Sequence, residues 1–212
     1  MSILSLENSE RLFWLGRYSE RVYTGIKFFA EKFDEMTGNS PKTSKADFTA
    51  QYCFDESNQS SIYYSLMRAY DNAIVLRDEI GTATFSYIQL AVYEMNRAKI
   101  SPAPLLELQK VTDNIAAFWG MADDVIEDEH ARSIIKFGKR LERVDLYARM
   151  KADSENLRRE IRRLTYRIEK TGLRYSHEKL SDLNIAAGEG VIDYSSVMRA
   201  AEGLIDFAKT SL

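Results

Sequence analysis

One short motif occurs twice in this sequence, and its residues are the first candidates for chemistry. It reads Gly-[Arg/Lys]-x-x-Glu-Arg-Val and covers Gly16–Val22 and Gly138–Val144. On a helix, residues four apart lie one turn apart on the same face, so each glycine stacks with the following glutamate, Glu20 or Glu142. Arginine beside a carboxylate can form a structural ion pair, bind an anionic ligand or contact a partner protein.

The glycines and glutamates of the motif predict close packing and partial burial. A glycine inside a helix costs about 0.5–1 kcal/mol relative to alanine, so both copies predict close approach of another backbone or side chain. The two glutamates border the apolar stripe of their helices, and an unpaired buried carboxylate is unfavourable. We therefore expect both carboxylates to be partly buried and paired with arginine. The candidate partners are Arg21 and Arg143, or Arg17 and Arg77.

Three interpretations of the motif pair remain open at this point. The first is a lattice of Glu–Arg pairs that only sets the register of the helices. The second is a polar pocket between the two motif helices, which binds a carboxylate or phosphate through arginine. The third is a partner-docking surface. The candidate substrate- or partner-binding residues are Gly16, Arg17, Glu20, Arg21, Arg77, Glu79, Gly138, Glu142 and Arg143.

Composition narrows the class of protein. The 212 residues carry a net charge of −3, which disfavours a dedicated nucleic-acid binder, because phosphate binding requires an excess of Lys and Arg. The single cysteine, Cys53, fits a reducing cytosol and is expected to be a buried apolar residue. The N-terminus lacks a signal-peptide pattern, and no apolar run is long enough to span a membrane. We expect a cytoplasmic protein.

Apolar residues recur every three or four positions along most of the chain, and this period predicts an all-α fold, a bundle of about six to seven helices. One domain over 1–212 is expected, with a first half 1–100, an abbreviated second half 101–212 and a pseudo-duplicated Glu-Arg helix. A break is predicted at Gly81, a cap at Asp128 and a kink or new cap at Asp153-Ser154. The predicted helices cover about 8–36, 48–52, 62–80, 82–99, 104–125, the second motif and 194–209.

Two other constellations have a structural and a functional interpretation. Glu127-x-x-His130 has the spacing of a di-metal site, but the second Glu-x-x-His that such a site needs is missing, so no metal and no cofactor is predicted. The basic segment 157–174 predicts a solvated helix face or a docking surface for an acidic partner or a phosphate-bearing ligand. Its cations are Arg158, Arg159, Arg162, Arg163, Arg167, Lys170 and Arg174.

Several segments, in order, resemble the bacterial Alpha-E family, a predicted helical domain named for its Glu-Arg motif. The resemblance spans about residues 5–150, the first motif has Tyr23 where an acidic residue is usual, and the region after 150 matches poorly. The matching segments are Leu12–Arg21, Phe54–Ile62, Arg68–Glu79, Glu94–Asn96, Phe118–Met121 and Leu141–Asp145.

The resemblance implies a role beside circularly permuted ATP-grasp proteins, which activate a carboxylate and transfer it to an amine. The chain is then expected to be an accessory subunit that binds the ligase, or its peptide or acyl substrate, through the Glu/Arg residues. Two alternatives stay open, an enzyme acting on an activated carboxyl or peptide substrate and a purely structural helical module. Association with a second copy of the chain also stays open.

Overall fold

The computed structural model describes residues 4–35, 49–188 and 190–207, and within these ranges the chain is helical with no β-strand. The prediction of an all-α fold is confirmed. Nine α-helices and one π-helical turn, Ala50–Phe54, follow one another along the described chain. The α-helices are α1 (Leu6–Glu35), α2 (Ile62–Val75), α3 (Arg77–Ile80), α4 (Thr82–Ile100), α5 (Pro104–Val125), α6 (Glu129–Arg149), α7 (Ser154–Ile168), α8 (His177–Ala186) and α9 (Tyr194–Glu202).

The contacts group the chain into two compact units. The first unit contains Met1–Arg17 and Asp128–Leu212, which include the start of α1 and helices α6 to α9. In this unit α6 packs on α7 and α9, and α8 packs on α9 and α7. The apolar stripes of α6 and α7 are buried and form its core. They comprise Ile134, Phe137, Leu141, Val144 and Ala148 on α6, and Leu157, Ile161, Leu164 and Ile168 on α7.

The second unit, Tyr18–Glu127, contains the rest of α1 and helices α2 to α5. Helices α4 and α5 form an antiparallel pair, and α2 packs on α4. The Lys99 ammonium at the end of α4 donates to Glu56 at 2.6 Å, which ties that helix end to the loop before α2. The division of the chain at residues 17/18 and 127/128 differs from the predicted halves 1–100 and 101–212, which remain a prediction.

Short polar side chains begin most of the later helices, as predicted at two of them. The carboxylate of Asp128 accepts from the Ala131 amide at 2.8 Å, and that of Asp153 accepts from the Asn156 amide at 3.0 Å. Both caps satisfy backbone N–H groups that the first helical turn leaves without a partner. The break at Gly81 is also confirmed, since its φ of +80° lies in the region that favours glycine.

Three details of the predicted helices differ in the structure. The last helix ends at Glu202 and not at 209, because the chain turns at Gly203 and the Leu204 carbonyl accepts from the Ser176 amide at 3.0 Å. Helix α8 was not predicted, since one fully buried residue, Leu183, gives its ten residues little apolar periodicity. The predicted segment 62–80 is divided at Leu76. The breaker run Thr37–Pro41, together with residues 36 and 48, lies outside the described residues.

Candidate functional site

The two motif glycines lie where α1 and α6 cross, and there the two backbones are in direct contact. A methyl group on Gly16 would lie 2.2 Å from the Ile135 carbonyl oxygen, and one on Gly138 would lie 2.2 Å from the Phe13 carbonyl oxygen. Both distances are far shorter than any van der Waals contact. The predicted close approach at both glycines is therefore confirmed, and the helices approach each other because neither glycine carries a Cβ atom.

The crossing is reciprocal. Each glycine faces the carbonyl oxygen of the residue three positions before the opposing glycine. Each also faces the amide nitrogen of the residue directly after the opposing glycine. For Gly16 this amide is that of Lys139 and for Gly138 that of Arg17, and both nitrogens lie within 3.3 Å of the added methyl position. Two copies of one motif that meet through equivalent atoms are related by an approximate two-fold axis. The pseudo-duplicated Glu-Arg helix predicted from the sequence thus has a structural counterpart in the packing of Phe13–Arg17 against Ile135–Lys139.

Aromatic rings cover one side of this crossing. The rings of Phe13 and Phe137 stack with centroids 5.9 Å apart, and the ring of Phe207 lies 5.3 Å from Phe13. Phe13 and Phe137 are 3% and 0% exposed, so the rings exclude water from the glycine contact. Their stacked and tilted geometries are the arrangements that aromatic pairs favour.

The Glu142 carboxylate, one turn after Gly138, is fully buried and paired with arginine. The Arg17 Nε donates to Glu142 Oε2 at 2.6 Å, and the two residues lie 125 positions apart in the sequence. The Arg17 guanidinium also lies 5.2 Å from the ring of Trp14, so an aromatic face lines the ion pair. The prediction of a paired motif carboxylate is confirmed, and the burial is complete where the sequence predicted a partial one.

The Glu20 carboxylate of the first motif is also fully buried, in the second unit. Its Oε1 accepts a hydrogen bond of 2.6 Å from the Thr24 hydroxyl one turn further along α1. Arg21, which follows it, is half-buried and lies with its guanidinium 5.5 Å from the Tyr18 ring. Thr24 was not among the predicted residues, although its i+4 spacing from Glu20 is a signal for such a bond.

The remaining predicted residues lie in different surroundings. Arg77, at the start of α3, is exposed, and its guanidinium lies 5.9 Å from the Phe85 ring. Glu79 is half-buried in the same short helix. Gly16, Arg17, Gly138, Glu142 and Arg143 belong to the first unit, and Glu20, Arg21, Arg77 and Glu79 belong to the second. That these nine residues bind a substrate or partner remains a prediction.

A third buried carboxylate, Glu160 of α7, is surrounded by three arginines and was missed by sequence reasoning. Arg140 and Arg163 donate to it, and the Arg143 guanidinium of the motif lies 3.9 Å from its Oε2. Burial alone raises the pKa of Glu160, but the charges and hydrogen bonds of the arginines outweigh that effect and lower the pKa. The available signal was an acidic residue beside the apolar stripe of a strongly basic helix.

Arg158, on the same basic helix, has a structural role. Its guanidinium donates to the backbone carbonyls of Ala187 and Gly188 at 3.1 Å each, and also to that of Gly190. These carbonyls follow the end of α8, where the last helical turn leaves acceptors without partners. Arg158 therefore holds the turn after α8, while the docking interpretation of the basic segment stays a prediction.

The Cys53 thiol is fully buried, and burial raises its pKa far above the usual range, as in an unreactive cysteine. The prediction that Cys53 is a buried apolar residue is confirmed. Among residues 4–35, 49–188 and 190–207, no three His, Cys, Asp or Glu side chains are grouped so as to hold a metal ion.

Comparison with protein families identifies the chain. One family profile, described as a predicted alpha-helical domain with a conserved ER motif, matches residues 27–210. The chain belongs to the Alpha-E family. The Alpha-E match continues through the region after 150, so the expectation that the resemblance ends near 150 was wrong. The first motif precedes the matched residues, and within them the Glu-Arg pair occurs once, as Glu142-Arg143.

Neither a curated protein nor a solved structure matches the chain significantly. Across the part of the chain that the structure describes, each helix is too short or too polar to cross a membrane.

Proposed function

We propose that this chain is a non-catalytic binding subunit of an ATP-grasp-linked system that modifies peptides or forms amides in the bacterial cytoplasm. Its partner would be a circularly permuted ATP-grasp protein, or the peptide or acyl substrate of that protein. The observation that carries the non-catalytic part is the fully buried Glu142 carboxylate, which Arg17 binds at 2.6 Å. The link to ATP-grasp rests on the association of Alpha-E proteins with such ligases.

The burial of the motif carboxylates supports binding or scaffolding over catalysis. A general base must reach a proton on the substrate and have a pKa near the working pH. Glu142 and Glu20 have no exposed surface, and each already accepts a hydrogen bond of 2.6 Å from a neighbouring side chain. Both carboxylates are thus suited to holding neighbouring groups in place.

The partly exposed arginines of the motif helices are the residues we assign to contact with the partner. The side chains of Arg17 and Arg143 are 15% and 16% exposed, and each is held on one side by a buried carboxylate, Glu142 or Glu160. The exposed part of a guanidinium oriented in this way can contact an incoming carboxylate or phosphate at a small loss of side-chain entropy. This surface would bind a carboxylate of the ligase or of its peptide.

Co-expression with an ATP-grasp protein encoded beside the gene tests this proposal. We expect the two proteins to elute together in size-exclusion chromatography, and we expect the ligase to form more product with the chain than without it. Glu142→Gln should weaken the complex or lower product formation. Glu155→Gln is the matched control, because that side chain is 68% exposed on α7 and should leave both unchanged.

Three outcomes would contradict the proposal. If Glu20→Gln and Glu142→Gln lower only the melting temperature and leave the complex and its activity intact, the motif is structural. If the isolated chain turns over acetyl phosphate, or transfers its acyl group to an amine, the chain is itself an enzyme. The absence of an ATP-grasp gene near the chain's own gene in related genomes would remove the basis for the partner.

A further inference from the structure

The outer face of α7 carries a dense group of positive charge. The inner stripe of the helix is buried in the first unit, whereas Arg159, Arg162, Arg163 and Lys170 point to solvent with Tyr166 between them. We call these five residues the basic face. The side chains of Arg162 and Arg163 are 63% and 50% exposed, so the positive groups are accessible along the helix.

The charge of this segment is opposite to that of the whole chain. From Arg158 to Lys170 the sequence contains six cations and two acids, whereas the chain has a net charge of −3. One of the two acids, Glu160, is 2% exposed and is held by three arginines. Its single negative charge is shared with Arg140 and Arg143 of α6 as well as Arg163, so positive charge remains in excess, and the remaining acid is Glu169 at the end of the segment.

Tyr166 lies among the cations at the centre of the basic face. It is 64% exposed, and the Lys170 ammonium lies 4.6 Å from the centroid of its ring. The hydrogen bond with Lys170, followed by the positive charges of Lys170 and Arg167, lowers the pKa of the Tyr166 phenol. An exposed ring among cations also offers apolar contact area to a bound chain.

We propose that the basic face docks an acidic segment of polypeptide about five residues long. From Arg159 to Ile168, where α7 ends, the helix rises about 14 Å at 1.5 Å per residue, and the two further residues to Lys170 bring the span to about 16 Å. An extended peptide covers that distance with about five residues, at about 3.3 Å each. Guanidinium groups bind carboxylates through paired hydrogen bonds, and complementary charge increases the rate of encounter.

The acids that border the basic face favour a short peptide over a nucleic acid. Glu155 lies one turn before Arg159, and its side chain is 68% exposed, while Glu169 precedes Lys170. A strand of phosphates that extends beyond Arg159 meets Glu155 and the net negative charge of the chain. A five-residue acidic segment ends before it reaches Glu155. This inference is independent of the ATP-grasp partner, since it concerns the purified chain alone.

Fluorescence anisotropy of a labelled pentaglutamate peptide with Gly-Ser at both ends tests the proposal. The triple variant Arg159→Gln, Arg162→Gln, Lys170→Gln removes three exposed cations and leaves Arg158 and Arg163 with their structural contacts. We expect its Kd to be about tenfold weaker, since three exposed charge pairs are lost. The control triple variant Lys27→Gln, Arg68→Gln, Lys99→Gln removes three exposed cations of the second unit and should stay within about twofold of the natural chain.

Two further probes distinguish an acidic peptide from other ligands of the basic face. A pentaglutamine peptide should not bind, and a twelve-residue oligothymidylate should bind more weakly than the acidic peptide. Tighter binding of the oligothymidylate would assign the face to nucleic acid and overturn the proposal. Equal loss in both triple variants, or no peptide binding at millimolar concentration, would also overturn it. If circular dichroism shows lost helix in the first triple variant, Arg162→Gln alone should weaken binding about twofold.

Discussion

At the scale of single residues, Gly16 and Gly138 determine how closely two helices approach. A carbonyl oxygen of the opposing helix lies against each glycine. Glu142, which pairs with Arg17, lies one helical turn after Gly138. A glycine in a helix is ordinarily unfavourable. Here the lost helix propensity is offset by backbone contact, aromatic burial and a paired carboxylate that a wider crossing would separate.

Replacing either motif glycine with alanine should destabilise the protein. The new methyl group would lie 2.2 Å from a carbonyl oxygen on the opposing backbone, so the helices must move apart. We expect Gly16→Ala and Gly138→Ala each to lower the free energy of unfolding by about 1–3 kcal/mol, as other overpacked sites do. Urea denaturation followed by circular dichroism measures this change.

Gly120→Ala is the matched control for the glycine prediction. Gly120 lies inside α5, is exposed, and has no atom within 4 Å of the position of an added methyl group. Alanine there should raise the free energy of unfolding by about 0.5–1 kcal/mol through helix propensity alone. If Gly16→Ala raised the free energy of unfolding as Gly120→Ala should, that result would contradict the backbone contact at the crossing.

Glu160 should make stability depend on pH in one direction. Its pKa is lowered in the folded chain, so its contribution is complete above the unfolded pKa of about 4.3 and is lost as the pH falls through the lower, folded value. Glu160→Gln should cost about 1.5–3 kcal/mol at pH 7, since hydrogen bonds to a charged group are lost. The difference between the two chains should shrink on going to pH 3.

Urea denaturation at pH 7, 5 and 3 measures that difference. Glu155→Gln serves as the control, because its carboxylate is exposed and pairs with Arg162 at 3.2 Å on the same helix. An exposed pair of this kind contributes about 0–1 kcal/mol, so the control should stay near zero at all three pH values. A cost of Glu160→Gln that is constant with pH would exclude a lowered pKa as its origin.

At the scale of elements, α8 depends on a neighbour for its end. Its ten residues bury one leucine completely, and Arg158 from α7 binds the carbonyls of Ala187 and Gly188 just after the end of α8. A short helix with little buried surface gains most of its stability from tertiary contacts. The Ser176 hydroxyl, which accepts from the Lys179 amide at 3.2 Å, was the local signal for the start of this helix.

Arg158→Ala should therefore loosen the end of α8. We expect a loss of about 1–2 kcal/mol, because charged donors at helix C-termini contribute on this scale. The amides of Ala187 and Gly188, which donate within this turn, should exchange with deuterium faster. Arg159→Ala, one residue further and exposed, should leave that exchange unchanged. Equal protection of both amides in the two variants would contradict the assigned role of Arg158.

At the scale of the whole molecule, the two compact units have separate sets of internal contacts. Leu164, on α7, is fully buried in the first unit, and Ile88, on α4, is fully buried in the second. Residues that share a core tend to open together, so local unfolding follows such units. The described helices of each unit should consequently respond to a cavity in their own core.

Leu164→Ala should increase amide exchange mainly in residues 128–207, and Ile88→Ala mainly in residues 49–127. A Leu→Ala or Ile→Ala cavity costs about 2–5 kcal/mol, which is large enough to change opening within one unit. Hydrogen–deuterium exchange with mass spectrometry measures both patterns in one experiment. If each variant raised exchange equally in both ranges, the chain would open as one cooperative body.

Most of the helices, with their buried stripes and two of their caps, could be predicted from the sequence alone, whereas α8 could not. Those features depend on neighbours three or four residues apart, so the order of residues contains them. The buried stripe of α6 and the cap at Asp128 are examples, as is the need for close packing at Gly16 and Gly138. Membership of the Alpha-E family follows from the same linear pattern.

Only the tertiary structure decided which groups meet. Arg17 binds the carboxylate of Glu142, 125 residues away, whereas the sequence allowed several arginines as the partner of that carboxylate. Glu160 gathers guanidinium groups from two helices, and its burial depends on the pairing of α6 with α7. Contacts of this kind are determined by where helices cross and how they are rotated, and that geometry is a sum over the whole core that no local spacing contains.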